Sequence, residues 1–226
     1  MKKLLSEKYI LLFLLALDIT FVALHILLSE KGLFNLDFEG NLPTVYQSSK
    51  LILVANMSIL IIILNRLGYV CKKEIFWIFW FLVFFVLGVD ELGQIHENIS
   101  LYIKEILGSG VVEYESSVVE MGYESTPWLL YYSLIFIGTT AFLGFFLKDF
   151  LKEKFFWSLI LGWVLFLAVP VVEYFNTMPG VMFAEGYDQL VILEEFLEMA
   201  GASFLFAFTY SYLKGRMEKS LEKNFN

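Results

Sequence analysis

The feature that most restricts this chain is the arrival of its apolar residues in six blocks, each close to the length a helix needs to cross a lipid bilayer. A backbone surrounded by hydrocarbon must satisfy its own hydrogen bonds, so such blocks fold as helices. They predict spans near 9–28, 50–67, 75–98, 128–147, 155–173 and 188–213, the fourth and fifth free of charge from Trp128 to Leu147 and from Phe155 to Val172. Composition agrees. Of 226 residues, 58% are hydrophobic and 18% charged, with a mean hydropathy of +0.70, whereas a soluble domain is about half apolar and about a quarter charged. The expected fold is all-α, a polytopic membrane helical bundle of about six transmembrane helices forming one integral membrane domain over residues 1–226, with the lipid bilayer as its first partner. The first block follows Met-Lys-Lys as a signal peptide would. It holds Asp18 and His25, however, and no small-residue cleavage pattern follows, so it reads as a span.

Charge gives an orientation. The net charge of −8 disfavours nucleic acid as a partner. With both termini in the cytoplasm, thirteen of the sixteen Lys and Arg residues fall inside and only Lys31, Lys50 and Lys104 outside, the asymmetry expected of a plasma-membrane protein. All five acids between spans three and four lie in one outer segment, Glu105 to Pro127, which reads as solvated linker. Trp77, Trp128 and Trp157 open their spans, where an indole suits the interface. A single cysteine, Cys71, excludes an intramolecular disulfide and a cysteine-based zinc site. No phosphate-binding loop or nucleophile elbow is present, which removes NTPase, kinase and serine-hydrolase readings.

Acidic side chains within membrane spans cost a few kcal/mol each and mark a pathway, a metal or a buried pair. Span three ends in Asp90-Glu91-Leu-Gly-Gln94-Ile-His96-Glu97, span five reaches Glu173 just after Pro170, and span six starts with Glu194-Glu195-Phe-Leu-Glu198. At 1.5 Å per residue Asp90 sits roughly 22 Å up its helix, in the outer third of the bilayer, and the other two sets reach the same depth. Taking 100° per residue, Asp90, Gln94 and Glu97 share a face about 60° wide, and Glu194 and Glu198 are about 40° apart. The small residues Ala200, Gly201, Ala202 and Ser203 suggest close approach of spans three and six.

With no Lys or Arg in these stretches, cations would have to neutralise the acids. The expected cofactor is a divalent metal ion, Fe, Mn, Zn or Ca, held by Asp90, Glu91, His96, Glu97, Glu173, Glu194, Glu195 and Glu198, with His25, Gln94, Asp37 and Glu39 as further candidates. Two features oppose a ferritin-like centre. Unless Gly93 distorts the helix, His96 lies about 240° round from Asp90, and the repeated Glu-x-x-His of such sites is missing. Asp18, nearer mid-membrane, reads as a relay or as a buried acid bonded to Thr20 or Asn56. His25 suits packing as well as ligation. Pro170 either kinks span five or frees a carbonyl beside Glu173. The loop from Phe34 to Thr44, with Asp37 and Glu39, is a plain connection or a lid.

Taken together, Asp37-x-Glu39-x-Asn41-Leu-Pro43-Thr44, Asp90-Glu91-x-x-Gln-Ile-His96-Glu97 and Leu193-Glu194-Glu195-x-Leu-Glu198 resemble a group of uncharacterised prokaryotic multi-pass membrane proteins over most of the chain. The resemblance implies a prokaryotic plasma membrane and no particular activity. Two histidines are too few for the membrane desaturase and ceramidase-like families. Three functions fit the residues: a metal-dependent enzyme acting on lipid at the outer leaflet, a cation or proton transporter, and a structural or assembly subunit.

Overall fold

The computed structural model describes residues 5–28, 32–38, 40–66, 73–96, 98–99, 102, 126–176 and 186–225, and within these the side chains of 126–132 and 222–225 are left aside. Six long helices follow one another: α1 (Glu7–Leu28), α2 (Leu42–Arg66), α3 (Glu74–Gly93), α4 (Thr126–Phe150), α5 (Phe156–Asn176) and α6 (Tyr187–Phe225). The described residues contain no strand. The protein is a helical membrane bundle in which α1 to α5 are each long and apolar enough to cross a bilayer.

Its surface confirms the class. Leu12, Phe13 and Ile19 of α1, Leu82, Phe85 and Val86 of α3, Phe145 of α4 and Val164 and Val171 of α5 all point outward, while Asp18, Lys50, Gln47, Ser58, Asp90 and Ser203 are buried. Apolar surface around a polar interior is stable in lipid, where no hydrophobic effect drives helices together and polar groups find partners only inside the bundle. α2 packs against α3 and α6, while α6 also carries α1 and α5, and α4 lies on α5.

Two kinds of contact hold the bundle. Toward the end marked by the α4–α5 turn, Phe76, Trp77 and Trp80 of α3, Phe150 of α4, and Phe208 and Tyr212 of α6 form a continuous aromatic core. Trp77 is 0% exposed and lies stacked over Phe208, so it belongs to this core and not to the interface as its place at the start of the span suggested. Trp157 is about half exposed, as an interfacial ring would be. Elsewhere the backbones come close. A Cβ on Gly162 would stand 3.0 Å from the Gly201 carbonyl, and one on Gly88 would stand 3.2 Å from the Ile52 amide.

The small-residue stripe of α6 therefore serves α5 and the buried ion pair described below, not α3. α3 meets α6 through larger side chains, with the Trp80 indole donating to Thr209 and Trp77 against Phe208 and Tyr212.

Helix limits differ most from expectation in α2. It starts at Leu42, eight residues before the expected position, because Asn41 accepts from the Thr44 amide and hydroxyl at 3.1 Å and Pro43 occupies the first turn. Thr44 is thus part of a helix and not of a lid, and Lys50 is carried into the bundle. α6 runs past the expected Leu213 and through Gly215 to Phe225, because the residues that follow, Arg216, Met217, Glu218, Lys219 and Leu221, are good helix formers. α3 stops at Gly93, where an expected span reached residue 98.

Candidate functional site

The end of α3 brings Asp90 and His96 together. Gln94 adopts a left-handed conformation (φ 51°, ψ 39°) and its amide donates to the Asp90 carbonyl. That break swings the chain so that the His96 amide donates to Asp90 Oδ1 at 2.8 Å and His96 Nδ1 lies 3.1 Å from Oδ2. The separation expected of an unbroken helix is overturned, and the distortion lies at Gln94, next to Gly93. Ser48 of α2 donates to the Gly88 carbonyl at 2.6 Å and pins the same stretch of α3.

On the other side, α5 continues through Pro170 to Asn176. Glu173 and Asn176 are three residues apart, so they share a face. Opposite them on α6 is Glu194, whose Oε2 accepts from Asn176 Nδ2 at 2.5 Å. Glu194 is also hydrogen-bonded to Glu173, with Glu195 nearby. Two carboxylates in contact repel each other, so a positive charge between them is favourable. Asn176 is 5% exposed, and its Oδ1 has no partner among the described residues.

The loop before α2 reaches over this end. The Leu36 amide donates to His25 Nδ1 at 3.0 Å, which gives His25 a positioning role in packing. The Tyr187 hydroxyl donates to Asp37 Oδ1 at 2.9 Å, tying the loop to the start of α6. Burial pushes the Asp37 carboxyl above its ordinary range; the Tyr187 bond and His25 oppose that push, while Asp188 and Glu173 add to it. Asp37 therefore borders the α5–α6 carboxyl pair. Glu39 and Glu97, candidates from the sequence, lie outside the described residues, as do nearly all of the acidic segment before α4 and Cys71.

Deeper in the bundle is a site that sequence reading missed. Lys50 of α2 and Asp18 of α1 form an ion pair at 2.8 Å, both essentially inaccessible. The three donors of the Lys50 ammonium meet three acceptors: Asp18 Oδ1 at 2.8 Å, the Met199 carbonyl at 2.8 Å and Ser203 Oγ at 3.2 Å. Asp18 in turn accepts from Tyr46 at 2.8 Å and from Ser203 at 2.7 Å. The ammonium also lies 4.2 Å from the centre of the Tyr46 ring.

Thr20, an expected partner of Asp18, bonds the Ala16 carbonyl instead. Lys50 is thus neither an outer lysine nor remote from the acids, because Glu198 and Glu91 stand within its electrostatic reach. The Asn-Leu-Pro-Thr start signal was the available clue, since a helix beginning there carries Lys50 inward.

From Asp188 to Ser203, α6 therefore follows a run of polar groups about 22 Å long at 1.5 Å per residue. It begins at Tyr187 and Asp37, passes Glu194, Glu195 and Glu198, and ends on the Lys50–Asp18 pair. Beyond Ser203 the helix interior turns to Leu205, Ala207 and Phe208 and the aromatic core. Among the described residues no group of three His, Cys, Asp or Glu side chains converges closely enough to hold a metal ion. The expected set divides into an Asp90–His96 contact on α3 and a Glu173–Glu194 pair between α5 and α6.

A family model described as a domain of unknown function (DUF8692) matches residues 9–212, and the chain belongs to that family. No curated protein and no solved structure matches the chain.

Proposed function

We propose that this member of the family carries protons across the membrane in exchange for a small cation, using the polar half of the bundle as the entry and Lys50–Asp18 as the innermost station. The observation that carries this reading is the buried pair itself. Charged groups at such depth are expensive and concentrate on ion and proton pathways. An ammonium 2.8 Å from a carboxylate is within range for passing a proton between them. The acids on α6 supply successive acceptors toward one end of the bundle, and the aromatic core closes the other, so crossing requires the helices to rearrange around the pair as in alternating access. The enzymatic reading has less support, because the dinuclear centre it needs has no converging ligands among the described residues.

Flux measurement tests this. Protein reconstituted in vesicles containing a pH-sensitive dye, with Na⁺, K⁺ or Ca²⁺ supplied on the side opposite the protons, should dissipate an imposed proton gradient faster than empty vesicles do. The double variant Asp18→Asn with Lys50→Met, neutral and similar in shape, should return the rate to that of empty vesicles. Wild-type protein no faster than empty vesicles, under both a pH gradient and a membrane potential, would leave the structural-subunit reading in its place.

In this reading the carboxylate end faces outward and both termini are cytoplasmic. Moving Lys50 into the bundle strengthens the basis, since Lys31 and Lys104 are then the outer basic residues set against thirteen inside. With Cys71 replaced by Ser, a cysteine at Val118 should react with an impermeant maleimide in intact cells. Reaction only after permeabilisation would invert the orientation.

A further inference from the structure

We propose that Glu173, Glu194 and the side-chain carbonyl of Asn176 form the cation site of the exchange, and that it takes a hard divalent ion of the calcium class. This deepens the transport reading and rests on it for the direction of movement, though not for binding. Two observations meet here. A carboxyl pair faces across α5 and α6, with Glu195 beside it and Asp37 at its border. Within it sits an amide that is 5% exposed, donates its nitrogen to Glu194 at 2.5 Å and leaves its oxygen unpartnered among the described residues. A buried acceptor without a donor costs free energy that a bound cation removes.

The donor chemistry selects the ion. Every donor in the set is oxygen, which disfavours softer metals such as Zn²⁺, whose sites use nitrogen and sulfur. Calcium accepts carboxylates in one- or two-oxygen mode together with amide carbonyls and water, and tolerates irregular geometry. Mg²⁺ demands a near-ideal octahedron and gives up water reluctantly. Two carboxylates match a double charge. The ion sits between the two carboxylates, so its charge is balanced and no covalent bond is made or broken.

Isothermal titration of the purified full-length protein in detergent with CaCl₂, and separately with MgCl₂ and NaCl, tests the site. Wild type should bind about one Ca²⁺ per chain. Asn176→Ala should weaken binding at least tenfold, Glu194→Gln should abolish it, and Asn176→Asp, which keeps an oxygen donor and adds charge, should retain or tighten it. Melting curves without calcium identify any variant that has failed to fold, and Asn176→Asp then carries the comparison. Absence of Ca²⁺ binding, equal responses to Mg²⁺ or Na⁺, or an Asn176→Ala titration identical to wild type would each overturn the site. Proton flux in vesicles loaded with Ca²⁺, Na⁺ or K⁺, measured beside the titration, keeps the two proposals apart. Ca²⁺ binding by a protein without flux overturns transport and supports the site, whereas flux without Ca²⁺ binding does the reverse.

Discussion

Lys50→Met should destabilise the bundle by about 3–5 kcal/mol, because it leaves the Asp18 carboxylate buried without its counter-ion. Among the described residues, those that touch Asp18 cannot substitute. Tyr46 and Ser203 already donate to Asp18, and both are neutral. The Met199 carbonyl and Ser203 also lose the ammonium they accept from. Asp18→Asn should be milder, since Lys50 keeps two of its three acceptors, and the double variant should recover most of the loss by removing both charges. Unfolding curves of the four proteins in one detergent give the coupling as a double-mutant cycle. A coupling near zero would mean that the pair contributes nothing specific, and the transport reading would lose the station it depends on.

Gly201→Leu should be as damaging for a steric reason. Even a Cβ at this position would stand 2.6 Å from Phe166 Cδ2 and 3.2 Å from the Gly162 carbonyl, and a Cβ on Gly162 would stand 3.0 Å from the Gly201 carbonyl in return. Phe166 is buried and hemmed in, and a backbone carbonyl can move only with its helix, so α5 and α6 must separate. Overpacking costs about 1–3 kcal/mol where a core can adjust, and a crossing this close should exceed that range. Separation would also pull Glu173 and Asn176 away from Glu194. The variant should therefore melt lower and lose Ca²⁺ binding together, while the equivalent change at Gly144, which has open space around it, should do neither. Equal melting of the two variants would show that the crossing is looser than the contacts imply.

The site was legible in the sequence as a list of residues but not as an arrangement. Asp90, Glu91, Glu173, Glu194, Glu195 and Glu198 stand out because acids in apolar runs are rare for a clear energetic reason. What joins them depends on helix rotation and on breaks. One left-handed residue, Gln94, reverses the angular relation of His96 to Asp90; the sequence marks the neighbouring Gly93 as the place for a distortion, but not the non-glycine residue that carries it. Asn176 was not singled out in the sequence, and it is 5% exposed in the folded bundle, where its amide meets Glu194 of α6.

By itself the sequence determined that this protein lives in a membrane and crosses it as helices. That follows from local quantities: the length of each apolar block, and the requirement that backbone hydrogen bonds in lipid close within the segment. The aromatic and small residues that would pack were also visible. The tertiary structure alone decided which polar groups share an environment. Lys50, Asp18 and Ser203 come from three helices and lie 32 and 153 residues from one another along the pairs they form. In hydrocarbon each polar group must find a partner on another helix or bear the full cost of burial, so the rotation of every helix about its axis is settled by the bundle as a whole and cannot be read from any one segment.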